Sequence, residues 1–520
     1  MGSANRKKTF VALFLLLLFG CSMPDFGYFR DEPVIAQWFA GFFITLLLWM
    51  YIVYLKTCKV LDKNEIDISF RQASLIYISF QCLYAIISCC LCDNQIVGTF
   101  NSTTGLALHA VLFFPILLED TLYSYKKGVN VNIFLIVLVF LTVLATECRT
   151  AIVSIICVAA ILFQCKYSFV KHLIITATVA VACVIFLLSS YKSDSTNGRV
   201  FILRNSIELI CQKPITGYVN DGGYKKVYME KQASYFKTNP ESRYSMLADD
   251  IKHPLNEFVY LWINYGVGGA LLLFLMLFFP IIVFSVKKER IGLCIISIIG
   301  VFSLFSYPLQ YPLPCIMLLS CNLIAMLYIW PHDICMTKYK RGLLVTATVI
   351  FVILQINLTY HFSYYYRWNK AAHVALFKGG GEILDEFEKL YSYFSKNTYF
   401  QYNYMSELYH AGKYKKAFEV SQKLQTQLSS YNFMLLTGDI LFHIGKYNAS
   451  VGYYEKALMM CPNRFVPLYK QFKIYKKCHN IDKMKEIGRE ILSKKIKVPS
   501  SKINFIISDV KRDLDTHACK

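Results

Sequence analysis

Charge is scarce in this chain: of 520 residues only 17% are Asp, Glu, Lys or Arg, and 34 acids face 55 bases. Soluble domains carry about a quarter charged residues, so a soluble enzyme is excluded. Signatures that handle nucleotides or metals are also missing. There is no Gly-rich phosphate loop, no nucleotide fold and no spaced acidic pair, since Asp249-Asp250 is a single adjacent doublet. No cofactor and no metal is therefore expected. The net charge of +21 comes with no nucleic-acid motif; seventeen of the bases fall in short loops between apolar runs, and others line the polar parts. Nucleic acid is accordingly not an expected partner. A disulfide framework is absent as well. Most of the 18 cysteines sit in apolar runs, where a thiol packs as a small apolar group. Cys89 and Cys92 form a C-x-x-C inside such a run with no thioredoxin-like pattern beside it, and the C-terminal third holds an odd set, Cys461, Cys478 and Cys519.

What the sequence has in quantity is apolar surface, with 16% aromatics and a mean hydropathy of +0.41. Apolar runs at about 9–22, 34–55, 70–92, 103–118, 130–146, 150–163, 170–190, 257–286, 291–307, 311–330 and 342–360 read as eleven membrane spans. Several are short of the ~20 residues that cross the hydrocarbon as a helix. If Arg6, Lys7 and Lys8 lie inside, the inside loops also hold Lys56, Lys59, Lys63, Arg71, Lys126, Lys127, Lys166, Lys171, Lys287, Lys288, Arg290, Lys338, Lys340 and Arg341. The short outside loops hold Arg30 and Arg149. Seventeen against two fixes the orientation by the positive-inside rule, and an odd number of spans exports the C-terminus. Leu18-Phe19-Gly20-Cys21 resembles a lipoprotein cleavage site but has the bulky Phe19 where a small residue belongs. An uncleaved first span is expected, and the topology is the same either way.

The expected fold is thus all-α, a polytopic membrane helical bundle in four parts. Residues 1–190 supply seven spans, 191–255 a large exported loop, 256–360 four more spans and 361–520 an exported helical domain. The loop is polar, yet Tyr218, Tyr224, Tyr228, Tyr235, Phe236 and Tyr244 argue against disorder, which is poor in aromatics. In the C-terminal part, Ala411-Gly412-Lys413-Tyr414 recurs thirty-three positions later as Ile444-Gly445-Lys446-Tyr447, and Cys461-Pro462-Asn463 reads as a helix stop. A weaker third unit begins near His479-Asn480-Ile481-Asp482. The pattern resembles the tetratricopeptide repeat, a ~34-residue pair of helices with Gly at the turn. Flanking helices at 382–394 and 400–410 are expected to complete the stack. Its surface is either a plain cap or a docking face for an acceptor, a partner protein or the membrane.

Three sites hold candidate chemistry. Arg149 sits between two spans in Ala145-Thr146-Glu147-Cys148-Arg149-Thr150-Ala151, where a snorkelling arginine paired with Glu147 is the plain structural account. Asn197-Gly198-Arg199 opens the loop, followed by Arg204, Ile207-Glu208 and Lys213-Pro214-Ile215-Thr216-Gly217-Tyr218. His253-Pro254-Leu255-Asn256-Glu257-Phe258 closes it and leads to Tyr265-Gly266-Val267-Gly268-Gly269. Taken singly, a loop arginine reads as a solvated charge and a histidine beside proline as structural.

In order and context these motifs resemble the O-antigen ligase family, membrane glycosyltransferases that include glycan polymerases and bacterial protein O-oligosaccharyltransferases. The resemblance covers most of 95–285: Gly98-Thr99-Phe100-Asn101 before a span, an Arg motif opening the next span pair, Gly-Arg at the start of the loop, Pro-x-x-Gly within it, and Asn-Glu with a Gly-rich segment after it. It implies a metal-independent transferase in the bacterial inner membrane, with its active site and C-terminal domain periplasmic. The donor would be an undecaprenyl-pyrophosphate-linked glycan and the acceptor a lipid, a glycan or a protein. Such a reaction needs developing phosphate charge neutralised, which suits the planar fork of Arg149 and Arg199, and an acceptor hydroxyl deprotonated by His253 or Glu257. Asn256 and Arg204 would support them. One departure touches the base: where the family pattern has His before Asn, this chain has Leu255, and the nearby imidazole is His253. Should 253–257 form a helical turn, His253 and Glu257 would share a face as an i,i+4 pair. Two other classes remain: a lipid-glycan transporter, which should show internal repeats or mid-span charges, and a membrane scaffold displaying the repeats.

Overall fold

The computed structural model describes residues 3–23, 35–92, 96–100, 102–123, 129–166, 193–329, 337–378 and 383–518. The apolar run at 170–190 and residues Arg30, Asn101, Lys126, Lys127, Lys171 and Cys519 lie outside them. The described residues hold helices and no strand. In chain order these are α1 (Ser3–Gly20), α2 (Ile35–Thr57), α3 (Lys63–Cys92), α4 (Thr103–Tyr123), α5 (Val129–Ala145), α6 (Arg149–Lys166), α7 (Ser193–Gln212), α8 (Gly223–Thr238), α9 (Glu257–Lys287), α10 (Arg290–Phe305), α11 (Pro312–Ile329) and α12 (Thr337–Lys378). The C-terminal part adds α13 (Leu384–Tyr391), α14 (Thr398–His410), α15 (Tyr414–Leu424), α16 (Tyr431–His443), α17 (Tyr447–Met460), α18 (Val466–Lys477), α19 (Ile481–Ser493) and α20 (Ser501–Ala518). Among the described residues six helices, α2, α3, α4, α9, α11 and α12, are long and apolar enough to cross a membrane; α5, α6 and α10 are shorter apolar helices. The chain divides into two compact units, one within 1–188, 255–258 and 271–369, the other within 189–254, 259–270 and 370–520.

The first unit is organised around α4. Its sequence carries no charge from Thr103 to Leu118, and side chains from Gly105 to Leu117 are buried against α3, α5, α6 and α10. Elsewhere apolar side chains face outward, including Leu271, Leu272 and Leu275 of α9 and Ile353, Leu354 and Ile356 of α12. Such surface suits lipid and not water. Ion pairs join four helix ends. Arg6 of α1 donates twice to Glu65 of α3, at 2.9 Å to each oxygen. Arg71 of α3 reaches Glu119 at 2.9 Å and Asp120 at 2.5 Å on α4, and Arg290 of α10 reaches Glu119 at 3.2 Å while lying over the Tyr123 ring. A chain of polar contacts holds other turns of the unit: Gln81 Nε2 donates to Ser22 Oγ at 3.1 Å, Thr99 Oγ1 donates to Gln81 Oε1 at 3.0 Å, and the Ser102 and Tyr311 hydroxyls meet at 2.8 Å. Cys21 is buried, close to Gly41 of α2.

The second unit contains the polar stretch of the sequence, which is largely helical. Phe201 of α7, Phe236 of α8, Tyr244 and Ala248 form a buried cluster with Tyr235 packed against it, the use to which three of the loop's aromatics are put. Helix α8 packs on α17. The C-terminal helices pack in consecutive pairs, α14 on α15, α16 on α17 and α18 on α19. All three connecting turns close with the same hydrogen bond, from Lys413 N to Leu408 O, Lys446 N to Leu441 O and Asn480 N to Tyr475 O, each at 2.9 Å. This six-to-one closure needs a left-handed residue: Gly412 at φ +73, Gly445 at φ +85 and, in the third turn, His479 at φ +54. The third copy is faint in sequence because it makes the turn without glycine.

Two boundaries differ from expectation. Helix α12 runs unbroken through residues 360 and 361, because the polar residues after Tyr360 are as helix-competent as the apolar ones before it; hydropathy changes there and backbone does not. Before the first repeat turn the helices are Leu384–Tyr391 and Thr398–His410, where 382–394 and 400–410 were expected.

Candidate active site

The second unit brings together two motifs that are separate in sequence. The turn Lys213–Tyr218 lies against a break in α9 at Gly266, whose φ of +70 and ψ of −168 are open essentially to glycine alone. The break frees backbone groups that the turn satisfies. Val267 N donates to Pro214 O at 2.9 Å, Tyr218 N donates to Ile263 O at 2.7 Å, and Trp262 Nε1 donates to Pro214 O at 2.9 Å. The approach leaves no room for side chains: a Cβ on Gly266 would stand 1.7 Å from Ile215 O, and one on Gly217 would stand 2.5 Å from Gly266 N. Asn264, 7% exposed, completes the joint, accepting from Tyr224 N at 3.0 Å and donating to Tyr260 O at 2.8 Å. The Pro-x-x-Gly and the Gly-rich segment are therefore one interlocked contact.

His253 is also in this unit, buried at 7% exposure, with its ring stacked on Tyr260 at 4.5 Å between centroids. Arg199 is exposed on the second turn of α7. Arg204, farther along the same helix, is exposed and pairs with Glu208 at 3.5 Å; Glu208 is held at 2.6 Å by Lys231 and lies below the usual carboxylate range chiefly through that bond. The segment before His253 carries Asp249 and Asp250. Burial works to raise the Asp249 carboxyl, but the Asp250 N–H and the Arg464 guanidinium at 2.7 Å outweigh it and hold the group below its ordinary value. Burial pushes Asp250 above its ordinary value, with Lys225 and Lys252 opposing in part.

Arg149, Asn256 and Glu257 belong to the first unit. Arg149 is half-buried and is the first residue of α6, following Glu147 in a left-handed turn at φ +52. Cationic side chains are disfavoured at a helix start, so an anion bound there would be welcomed by both the guanidinium and the positive end of the helix dipole. Glu257, 2% exposed, accepts from Leu309 N at 3.0 Å, and Asn256 Nδ2 donates to Leu304 O at 2.9 Å. Both residues thereby secure the turn between α10 and α11.

The suggested i,i+4 pairing of His253 with Glu257 is corrected by the backbone. Helix α9 starts at Glu257, and Leu255 is left-handed at φ +58, so 253–256 is not a helical turn and the two side chains do not share a helical face. Sequence reasoning also passed over Tyr260, Asn264, Gln232 and Asn463, which hold the His253 segment and the Gly266 joint. Asn264 had a signal: an amide two residues before Gly266 in an otherwise apolar span.

Residues 134–274, a stretch well short of half the chain, match the family model described as O-antigen ligase. The match supports the O-antigen ligase superfamily and a membrane glycan-transfer role of the ligase and polymerase kind, whose members are glycosyltransferase-like enzymes. All six candidate residues, Arg149, Arg199, Arg204, His253, Asn256 and Glu257, fall within it. No curated protein and no solved structure matches the chain significantly.

Proposed function

We propose that this protein is a glycosyltransferase of the bacterial inner membrane that moves a glycan from an undecaprenyl-pyrophosphate donor to an acceptor hydroxyl on the periplasmic face. The observation that carries the reading is the interlock of Lys213–Tyr218 with the break at Gly266, which joins two separate motifs of the matched stretch 134–274. In this reading Arg149, at the head of α6, and Arg199 bind the donor pyrophosphate. The acceptor oxygen bonds to the anomeric carbon as the bond from that carbon to the pyrophosphate oxygen breaks, and the hydroxyl proton passes to His253. Glu257 orients the turn between α10 and α11, and Asn256 and Arg204 support the site. The seventeen-to-two charge count supports the orientation, and the ion pairs among Arg6, Glu65, Arg71, Glu119 and Arg290 accord with it by joining helix ends assigned to one side. The C-terminal helices are tetratricopeptide-like and periplasmic, open to a bulky or protein acceptor or to a partner protein.

The test is transfer from a purified lipid-linked glycan by the full-length protein in membranes. Arg149→Ala and Arg199→Ala should each abolish product at normal expression, with Arg→Lys restoring little because a point charge does not copy the bidentate fork. Wild-type transfer in both Arg→Ala variants would remove the donor-site assignment. Deletion in the host then separates the acceptors by which product disappears: a core-linked polymer, long glycan chains or a glycoprotein.

A further inference from the structure

Residues 247–253 have no regular secondary structure after the single turn at Arg243–Met246, so carbonyls here must find donors elsewhere. Those of Met246, Ala248 and Asp249 find them on two side chains. Asn463, in the Cys461-Pro462-Asn463 turn between α17 and α18, is 7% exposed and donates Nδ2 to Met246 O at 3.1 Å and to Ala248 O at 2.7 Å. Gln232 of α8, 1% exposed, donates Nε2 to Asp249 O at 3.0 Å and to Met460 O, the last residue of α17, at 2.7 Å. One amide from the C-terminal repeats thus grips the segment, and a second ties it and the repeats to α8. His253 follows within a few residues, its ring already fixed against Tyr260.

We infer that the C-terminal helical domain is a working part of the transfer site, with Asn463 a positioning residue that sets the segment carrying His253. The inference rests on the reading of His253 as the acceptor base. It changes what the repeats are for: besides any acceptor they meet, they hold the segment that carries His253 in place. A base displaced by about 1 Å loses on the order of 10²-fold in rate, so a grip on the carbonyls of Met246, Ala248 and Asp249 can govern turnover without touching substrate.

The experiment compares full-length wild type with Asn463→Asp, Asn463→Ser, His253→Ala and, as a control on the exposed face of α15, Lys415→Ala. Asn463→Asp keeps the shape but turns an oxygen toward two carbonyl oxygens; Asn463→Ser keeps one donor and serves if the aspartate variant does not fold. Each is measured for unfolding temperature, tryptic cleavage after Lys252, and kcat and KM for donor and acceptor across pH. The expected result is faster cleavage after Lys252 and a kcat lower by ~10²-fold in Asn463→Asp, a smaller loss in Asn463→Ser, and a donor KM that stays put. General destabilisation would instead reduce the amount of active protein and leave kcat per folded molecule and its pH profile unmoved. A folded Asn463→Asp with wild-type kcat overturns the inference, whether or not cleavage rises. So does a lost kcat with unchanged cleavage, because the effect would then not run through the segment before His253. Full activity in His253→Ala identifies the base assignment as what failed, and the inference falls with it.

Discussion

Substituting alanine along Tyr265-Gly266-Val267-Gly268-Gly269 should give three different outcomes from three glycines that look alike in sequence. At Gly266 the φ of +70 with ψ −168 costs an L-residue ~1–3 kcal/mol, and the new Cβ would stand 1.7 Å from Ile215 O. Relief requires the Lys213–Tyr218 turn to withdraw, which breaks the bonds from Val267 N and Trp262 Nε1 to Pro214 O and from Tyr218 N to Ile263 O, worth ~1 kcal/mol each. The sum, about 4–6 kcal/mol, is a large part of a typical unfolding free energy of ~5–15 kcal/mol. At ~2–4 °C per kcal/mol for a unit of this size, Gly266→Ala should lower the unfolding temperature in detergent by roughly 8–24 °C, if the protein accumulates. Gly268 has nothing within 4 Å of its Cβ direction, so alanine there should be neutral or stabilising by up to ~1 kcal/mol through helix propensity. Gly269 falls between, its Cβ meeting Leu261 O at 2.8 Å. The assay is thermal unfolding of each purified variant, with transfer measured on the folded fraction. Damage at Gly268 equal to that at Gly266, or a Gly266→Ala protein as stable as wild type, would refute the interlock.

Three further outcomes follow from particular contacts. Because burial holds the Asp250 carboxyl above its ordinary value, its charged form disfavours folding at every pH above that folded-state value; Asp250→Asn should therefore raise the unfolding temperature at pH 7, with the gain vanishing below the unfolded value of ~3.9, as unfolding scans from pH 3.5 to 8 would reveal. His479→Gly should stabilise the third repeat turn by ~1 kcal/mol, since glycine accepts φ +54 without penalty, whereas Gly445→Ala should destabilise the second by a similar amount; chemical denaturation of the two variants reads both. Arg71→Gln should destabilise the first unit more than Glu119→Gln, because it strips the guanidinium from both Glu119 and Asp120, whereas Arg71 keeps Asp67 and Asp120 when Glu119 is neutralised, a comparison made by unfolding temperature in one detergent.

The helices were legible wherever one physical signal was strong. Apolar runs revealed α1 to α6 and α9 to α12 because lipid demands a continuous apolar exterior, and Gly412 and Gly445 revealed two repeat turns because a left-handed closure asks for glycine. Legibility failed where one signal stood in for another. Hydropathy located a change near residue 360, yet α12 continues to Lys378, since nothing in Tyr360–Lys378 breaks a helix. The third turn was faint because His479 accepts the strain that glycine avoids elsewhere.

For the site, the sequence exposed motifs but not their joining. Pro214, Gly217 and Gly266 could be read as conformationally special, and no pattern within either segment says that one glycine is small so that the other's backbone can reach it. The same holds at the proposed base. Spacing alone would pair His253 with Glu257, whereas the left-handed Leu255 turns the chain between them, leaving Glu257 on Leu309 N and the imidazole on Tyr260. The departure at Leu255 is therefore compatible with a working base only if something outside the local sequence fixes His253. Its segment has no regular secondary structure to do so, and its grip comes from Asn463, more than two hundred residues away in the chain. A residue that far along, in a domain whose repeats look like an appendage, carries no local mark of function; its importance arises from two carbonyls that would otherwise lack a donor.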